Sequence, residues 1–468
     1  MNSDILFTPV RQLAELVRTK QVSSVELTEL ALSRLETLGP KYNAVVTVTR
    51  DRALQAARKA QSEIQKSNYK GILHGIPYGA KDIFAATGYP TSWGTAPVKN
   101  QTFDYDAAVI ERLEQAGAVL TAKLAMVELA GGAGYRHPEA SFTGPGISPW
   151  NPMGWSGGSS SGSGSAVCGG IIPFALGTET WGSILCPASY CGIAGLRPTF
   201  GRVSRYGAMP AVWSLDKVGP FAHTADDLGI LLQALSGHDP RDDSTHKEPF
   251  RYDESKGKQP FKLGLLKGST DSADSGVKAN LAKALKQLEE AGIATVEEVE
   301  LPDMPYEAVA TTVMMAETAS AFEDFTDAGH GAGLTAESSR RRIYSRYAVL
   351  ASDYIRAMRV RRKMSQTADE VLARYDAVVG PSYPTVAPPI DKEFKTAFSG
   401  KGRDIIGALG NIAGLPSVCV PTGFGDRGLP TGIQFMGRAY SENRILSIAK
   451  AYQGITDWHL QRPPGTTD

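Results

Sequence analysis

The sequence predicts an α/β fold: a single large domain, residues 1–468, in which a mixed, largely parallel β-sheet is flanked by helices on both faces. Three observations carry that expectation. From Leu73 onward short apolar stretches alternate with helical segments, the order that strands joined by crossover helices require. A chain of 468 residues with 42% hydrophobic and 21% charged residues has the make-up of a folded globular protein and can bury a large core. No linker is long enough to separate two independent units.

Residues 1–70 read as a helical lead-in. Val10, Leu13, Leu16 and Val17 recur at helical spacing, and Val25, Leu27, Leu30, Leu32 and Leu35 follow Ser23 and Ser24, a capping signal, so helices are expected over 8–66. Residues 71–235 hold strands at Ile76–Ile83, Ala118–Leu120 and Ile171–Leu176, with a helix over Ala107–Gln115. Between Ser236 and Gln259 the sequence turns polar and loses periodicity, the mark of a surface excursion. Residues 236–375 form a variable region expected to cap a substrate pocket. Within it Lys262–Lys267 and Ala294–Leu301 read as strands, Val277–Ala291 as a helix and 305–375 as mainly helical. Arg340–Arg342 and Arg359–Lys363 read as solvated faces. Residues 376–468 return to the core: strand Ala377–Pro381 enters a Pro-rich loop to Pro389, then come a helix Ile405–Leu415, strands Ser417–Thr422 and Gly432–Met436, and a helix Ile445–Tyr452.

The 49 Lys and Arg balance 49 Asp and Glu, which argues against nucleic-acid and membrane-surface partners. Four cysteines, Cys168, Cys186, Cys191 and Cys419, are too few for a disulfide scaffold and contain no C-x-x-C pair, so they read as small buried hydrophobes in a reducing compartment. Asp4, Pro9, Arg11, Glu15 and Arg18 interrupt the N-terminus where a signal peptide needs an apolar core. A cytoplasmic protein is expected. The histidines are scattered and form no pair at ligand spacing, so neither metal nor other cofactor is expected.

The most informative stretch is Ser156–Ser165, ten consecutive Ser and Gly residues. Gly opens backbone conformations closed to other residues and Ser supplies small donors and acceptors, a combination that suits a tight loop against a ligand. A flexible linker is the other reading. The two G-x-S-x-G matches, at Gly154–Gly158 and Gly158–Gly162, do not make an α/β-hydrolase elbow, because Pro149 and Pro152 stand where its strand belongs. No Gly-Lys-Ser/Thr closes a phosphate-binding loop.

Taken with its flanks, the stretch is far more specific. Gly157-Gly-Ser-Ser-Ser-Gly-Ser163, Gly177-Thr-Glu-Thr-Trp-Gly-Ser183-Ile, Pro187-Ala188, Cys191-Gly192 and Gly195-Leu-Arg-Pro-Thr-Phe-Gly-Arg-Val-Ser204 closely resemble the signature of the amidase signature family. Gly75-Ile-Pro-Tyr-Gly-Ala-Lys-Asp82 resembles its Lys motif, and Asn411-Ile-Ala-Gly-Leu-Pro416 and Gly428–Gly437 its C-terminal segments. The resemblance covers most of the chain and is weakest over 236–375. It implies the family fold, with 71–235 as the signature core, and an amidase that works through a Ser-cisSer-Lys triad and an acyl-enzyme. Carried over residue by residue, it makes Ser183 the nucleophile, Ser159 the bridging serine after a cis peptide, and Lys81 the base. The backbone N–H groups of Thr180, Trp181, Gly182 and Ser183 become the oxyanion hole. Ser160 and Ser163 either support the site or fill the loop.

A serine hydroxyl needs a base, and a lysine serves only when its amine is neutral, which demands burial that lowers its pKa from about 10.4. Ile76, Pro77, Tyr78 and Ile83 make such a setting for Lys81, while Asp82, next along the strand, points to the opposite face. Two departures bear on the substrate. Trp181 stands where many relatives have Gly, and Ser183-Ile-Leu-Cys-Pro187 lacks the Arg that relatives acting on carboxylate-bearing substrates often carry there. Met126, Gly131, Gly132 and Leu185 are expected to line the pocket, with the Gly-rich stretch Met126–Trp150 either a lid or an ordinary surface loop. The leading expectation is therefore a stand-alone monomer or homodimer that hydrolyses C–N bonds of linear, non-peptide amides, with aryl amides or carbamates (urethanes) as small-molecule substrates. The alternative is a glutaminase-type A subunit of a tRNA-dependent amidotransferase.

Overall fold

The computed structural model describes residues 3–253, 255, 257, 259–397 and 404–467; residues 254, 256 and 258 of the polar stretch Ser236–Gln259 lie outside them. Ser23 caps the helix Ser24–Thr37 in a reciprocal box: its hydroxyl accepts the Glu26 N–H, and the Glu26 carboxylate accepts the Ser23 N–H. The all-helical reading of 8–66 misses one strand, β1 (Val45–Val48), where three valines and a threonine suit a pleated surface better than a helix.

Eleven strands form the main sheet. After β1 come β2 (Pro77–Lys81), β3 (Val119–Leu124), β4 (Ile147–Ser148), β5 (Asn151–Trp155), β6 (Phe174–Glu179), β7 (Ala194–Arg197) and β8 (Lys217–Ala222). The later strands are β9 (Phe261–Leu266), β10 (Ala294–Val299), β11 (Ala377–Pro381), β12 (Ser417–Phe424) and β13 (Pro430–Met436). The order is β1-β3-β2-β6-β8-β7-β12-β13-β11-β9-β10, with β4 and β5 as a separate hairpin. Parallel pairings join β2 to β3 and β6, and β9 to β10 and β11, so the sheet is mixed. Flanking helices, among them Arg50–Gln65, Ala225–Leu235, Ser275–Glu290 and Glu442–Gln453, pack against it. The excursion 236–375 thus contributes β9 and β10 to the sheet itself.

Other differences have local causes. The strand expected at Ile171–Leu176 begins three residues later in sequence, at Phe174, because Gly170 with its positive φ and Pro173 hold the preceding apolar residues in a turn. β7 and β8 escape periodicity because Gly195, Gly219, Pro220, Arg197 and Lys217 interrupt their apolar residues while the strands remain buried. The Gly/Ser run is the largest correction: Ser161–Cys168 is an α-helix, not a continuation of the loop. All eight of its residues are buried, and a Cβ at Gly162 would run into the backbone of Ala44 and Ala125, one at Gly164 into Pro187. Small side chains there answer close packing rather than flexibility. All four cysteines are buried and unpaired. Among the described residues no helix is long and apolar enough to cross a membrane.

Candidate active site

The site forms where adjacent strands end. β2 and β6 run parallel, with Tyr78 opposite Phe174 and Ala80 opposite Leu176, so their C-terminal ends lie side by side, the usual place for chemistry in an α/β sheet. β2 ends in Lys81 and β6 in Thr178 and Glu179. The Lys81 ammonium is fully buried and donates to Ser159 Oγ at 2.7 Å and to Thr178 Oγ1 at 2.9 Å. Burial is the dominant influence on it, opposed by the carboxylates of Asp216 and Glu179, and pushes its pKa down to about 7. Asp82, its sequence neighbour, faces away: its carboxylate pairs with Lys123 at 2.7 Å and accepts both the backbone N–H and the hydroxyl of Ser92. Strand alternation therefore separates that charge from Lys81.

Ser159 follows a cis peptide bond after Gly158 and is itself buried. Ser160 Oγ donates to the Thr178 carbonyl at 3.3 Å, and Ser163 Oγ to the Leu176 carbonyl at 2.9 Å, so both hydroxyls bind the Gly/Ser segment to β6. Gly177 makes room for this, because a Cβ there would meet Phe221 and the Ser160 hydroxyl.

The turn Thr180–Ser183 leaves the end of β6. Glu179, fully buried, fixes its shape: Oε2 accepts the N–H groups of Ile184 at 2.9 Å and Leu185 at 3.0 Å, and Oε1 accepts Arg197 Nη1 at 2.9 Å and Asn411 Nδ2 at 3.2 Å. Burial opposes the carboxylate's charge, but Arg197, Lys217 and these donors hold its pKa below the ordinary glutamate value. The N–H groups of Trp181, Gly182 and Ser183 make no hydrogen bond among the described residues, and neither does the Ser183 hydroxyl. The structure thus joins Lys81, Ser159 and Thr178 by hydrogen bonds and leaves the Ser183 hydroxyl free to approach a substrate. Trp181 places its bulk outside the turn, where Nε1 donates to Asp404 Oδ2 at 2.7 Å.

Gly182 has φ +83°, and a Cβ on it would collide with the Tyr383 hydroxyl. Gly182→Ala combines backbone strain with that collision. It is expected to lower the labelling rate of Ser183 by a fluorophosphonate at least about tenfold while shifting the melting temperature little, since the turn rather than the core is disturbed. Labelling at the wild-type rate would show that the turn does not need this conformation.

Several neighbours had no signal in the sequence. Thr178, the second acceptor for Lys81, and Glu179, the anchor of the turn, are read only once β2 and β6 are paired. Asp216 accepts the Thr180 hydroxyl and the N–H groups of Ala211 at 2.9 Å and Val212 at 2.8 Å. Arg361 corrects the reading of Arg359–Lys363 as a solvated face: it donates from Nε to the Ile412 carbonyl at 2.6 Å and from its two Nη atoms to the hydroxyl and carbonyl of Ser214. A cavity of about 210 Å³ borders the site, walled by Thr178, Thr180, Met209, Trp213, Lys217 and Ala130 among others. The four expected pocket residues are not among its walls. Met126 and Leu185 are committed to core packing, Gly132 lies against Phe322 and Gly131 against Tyr135. Among the described residues no group of three or more His, Cys, Asp or Glu side chains could hold a metal ion.

Comparison with known proteins places these features in context. The amidase family profile matches residues 26–446. The A subunit of glutamyl-tRNA(Gln) amidotransferase from Methylococcus capsulatus is 37% identical over 484 residues, covering 98% of this chain and 99% of that protein. Among solved structures, the peptide amidase of Stenotrophomonas maltophilia superposes with a TM-score of 0.86 at 31% identity, covering 98% of each chain. The A subunit of glutamyl-tRNA(Gln) amidotransferase from Thermotoga maritima superposes with a TM-score of 0.80 at 30% identity, covering 96% of this chain and 94% of that one.

Proposed function

The chain belongs to the amidase family, whose members hydrolyse C–N bonds, and from that premise we propose that it is a glutaminase-type A subunit of a tRNA-dependent amidotransferase. The observation that carries the reading is end-to-end similarity to proteins named as that subunit, at 37% identity over 98% of this chain. This corrects two expectations. The stand-alone amide or carbamate hydrolase gives way to the alternative, and the partner set of a small molecule alone, with no nucleic acid and a monomer or homodimer, gives way to work as one component of an assembly acting on tRNA-borne substrate. The missing Arg after Ser183 was a weak guide, because a cation for a carboxylate has to be near in space, not in sequence.

In this reading the Ser183 hydroxyl attacks the γ-amide carbon of glutamine as its proton passes through Ser159 to neutral Lys81. The N–H groups of Thr180, Trp181, Gly182 and Ser183 receive the oxyanion. Collapse breaks the C–N bond, and the proton returns through Ser159 to the departing ammonia. Water then attacks the acyl-enzyme by the same route and releases glutamate. Support for these roles lies in the 2.7 Å contact between Lys81 and Ser159, the low pKa of Lys81 and the uncommitted N–H groups of the turn.

The test is ammonia release from glutamine by the purified chain, alone and co-expressed with the other amidotransferase components. Glutamine hydrolysis that rises when the partners and charged tRNA are present is expected. Absence of glutamine hydrolysis in both preparations, with aryl amides turned over instead, refutes the assignment.

A further inference from the structure

One buried basic group close to the site has no part in the chemistry above. Lys217, the first residue of β8, is 2% exposed and stands opposite Glu179 in the antiparallel register of β6 and β8. No carboxylate among the described residues forms an ion pair with it, and its one hydrogen bond runs from Nζ to the Thr180 carbonyl at 3.5 Å. A buried amine without a carboxylate partner is costly, and a methionine or leucine would fill the same space without that cost. What the amine adds is a donor at one defined oxygen.

That oxygen belongs to the peptide group whose other end is the Trp181 N–H, one of the uncommitted donors of the turn. A donor on a peptide carbonyl polarises the whole group and makes its N–H a stronger donor in turn. The preceding residue grips the same place from another side, since the Asp216 carboxylate accepts the Thr180 hydroxyl. The start of β8 therefore holds Thr180 by both its side chain and its carbonyl.

We infer that Lys217 is a positioning residue that acts through the Thr180–Trp181 peptide to strengthen the Trp181 N–H toward the oxyanion formed when Ser183 attacks. This rests on reading the turn as the oxyanion hole, but not on the identity of the amide. Glu179 on β6, Asp216 just before β8, Arg197 on β7 and Arg361 face the amine; burial and then Arg197 push its pKa well down, while the two carboxylates oppose them. Charged or neutral, the amine keeps an N–H to donate, and the charged form polarises more. The contribution of Lys217 is therefore expected to decline as pH rises.

The experiment measures the second-order rate at which a fluorophosphonate labels Ser183, a reaction that places a phosphoryl oxygen in the same hole and needs no natural substrate. Lys217→Met is expected to slow labelling roughly tenfold, on the scale of a weakened oxyanion donor, with the melting temperature unchanged or higher. Lys217→Gln, which keeps an N–H donor, is expected to recover part of the rate, and it carries the comparison should the methionine variant not fold. The wild-type advantage over Lys217→Met is expected to be larger at the acid end of the pH range than at the alkaline end, since the charged amine polarises more. Equal rates for wild type and the methionine variant at neutral pH overturn the role, as does a loss accompanied by a lower melting temperature and not relieved by Gln. If wild type is not labelled at Ser183 at all, the oxyanion reading fails and the inference falls with it; labelling without glutamine hydrolysis counts against the glutaminase assignment alone.

Discussion

Ser183→Ala is expected to lower turnover by at least about 10⁴-fold while leaving the fold intact. In the proposed mechanism only a hydroxyl at this position forms the acyl-enzyme, and water delivered to the same carbon lacks its fixed approach. The fold should survive because the Ser183 hydroxyl has no hydrogen-bond partner among the described residues, so its removal orphans nothing. The turn itself is fixed by Glu179 through the N–H groups of Ile184 and Leu185. Ammonia release, far-ultraviolet circular dichroism and the melting temperature together check the result. Substantial hydrolysis by a well-folded Ser183→Ala protein would remove Ser183 from the mechanism, and failure of the variant to lose fluorophosphonate labelling would place the nucleophile elsewhere.

The second large effect concerns Lys81. In the proposed mechanism the protonated amine cannot accept the proton that Ser159 relays; the neutral amine can. With its pKa lowered by burial to about 7, kcat/KM is expected to rise as pH climbs through that value and to stay high into the alkaline range. Lys81→Arg is expected to be nearly as inactive as Lys81→Ala, because a guanidinium stays charged and is too large for a site where the amine already lies within 2.9 Å of two hydroxyls. A largely active arginine variant with an acid optimum would mean that positive charge, not basicity, is what the site needs. The stability side has a definite sign. Between about 7 and the unfolded value near 10.5 the unfolded chain binds the extra proton, so this group's contribution to stability improves as pH rises across that window. Lys81→Met is accordingly expected to melt no lower than wild type at pH 7 while losing activity.

The sequence carried much of the fold where periodicity is strong. Helix Ser275–Glu290 and strand β11 are visible as spacing of apolar residues, and the Ser23 cap is a local signal with a local cause. It failed where tertiary crowding, not propensity, chose the residues. Ser161–Cys168 has a composition that reads as a loop, yet it is a fully buried helix whose Gly162 and Gly164 leave no room for a Cβ. β7 and β8 hold too many glycines and charged residues to look like strands, yet they lie near the middle of the sheet. At the site, the candidates Lys81, Ser159 and Ser183 could be picked out because each lies in a contiguous motif. Glu179, Asp216, Lys217 and Arg361 could not, since each acts on a residue that reaches it only through strand pairing or helix docking. The substrate reading went astray by resting on one sequence position beside Ser183, whereas similarity along the whole chain points to the amidotransferase subunit.

The strand order has a consequence for the birth of the protein on the ribosome. β7 gains its outer neighbour only when β12 arrives, with Leu196 opposite Val418 and Gly195 opposite Cys419, and Arg197 donates to the Leu415 carbonyl. At roughly 5–20 residues per second, more than 200 residues must be synthesised before that partner exists, a delay on the order of 10 to 40 s. Throughout that interval a nascent chain carries an apolar strand edge with unpaired backbone groups. Cotranslational chaperone dependence should therefore be concentrated in chains halted between β7 and β12, and fragments ending there should aggregate, whereas the completed chain closes its own edge.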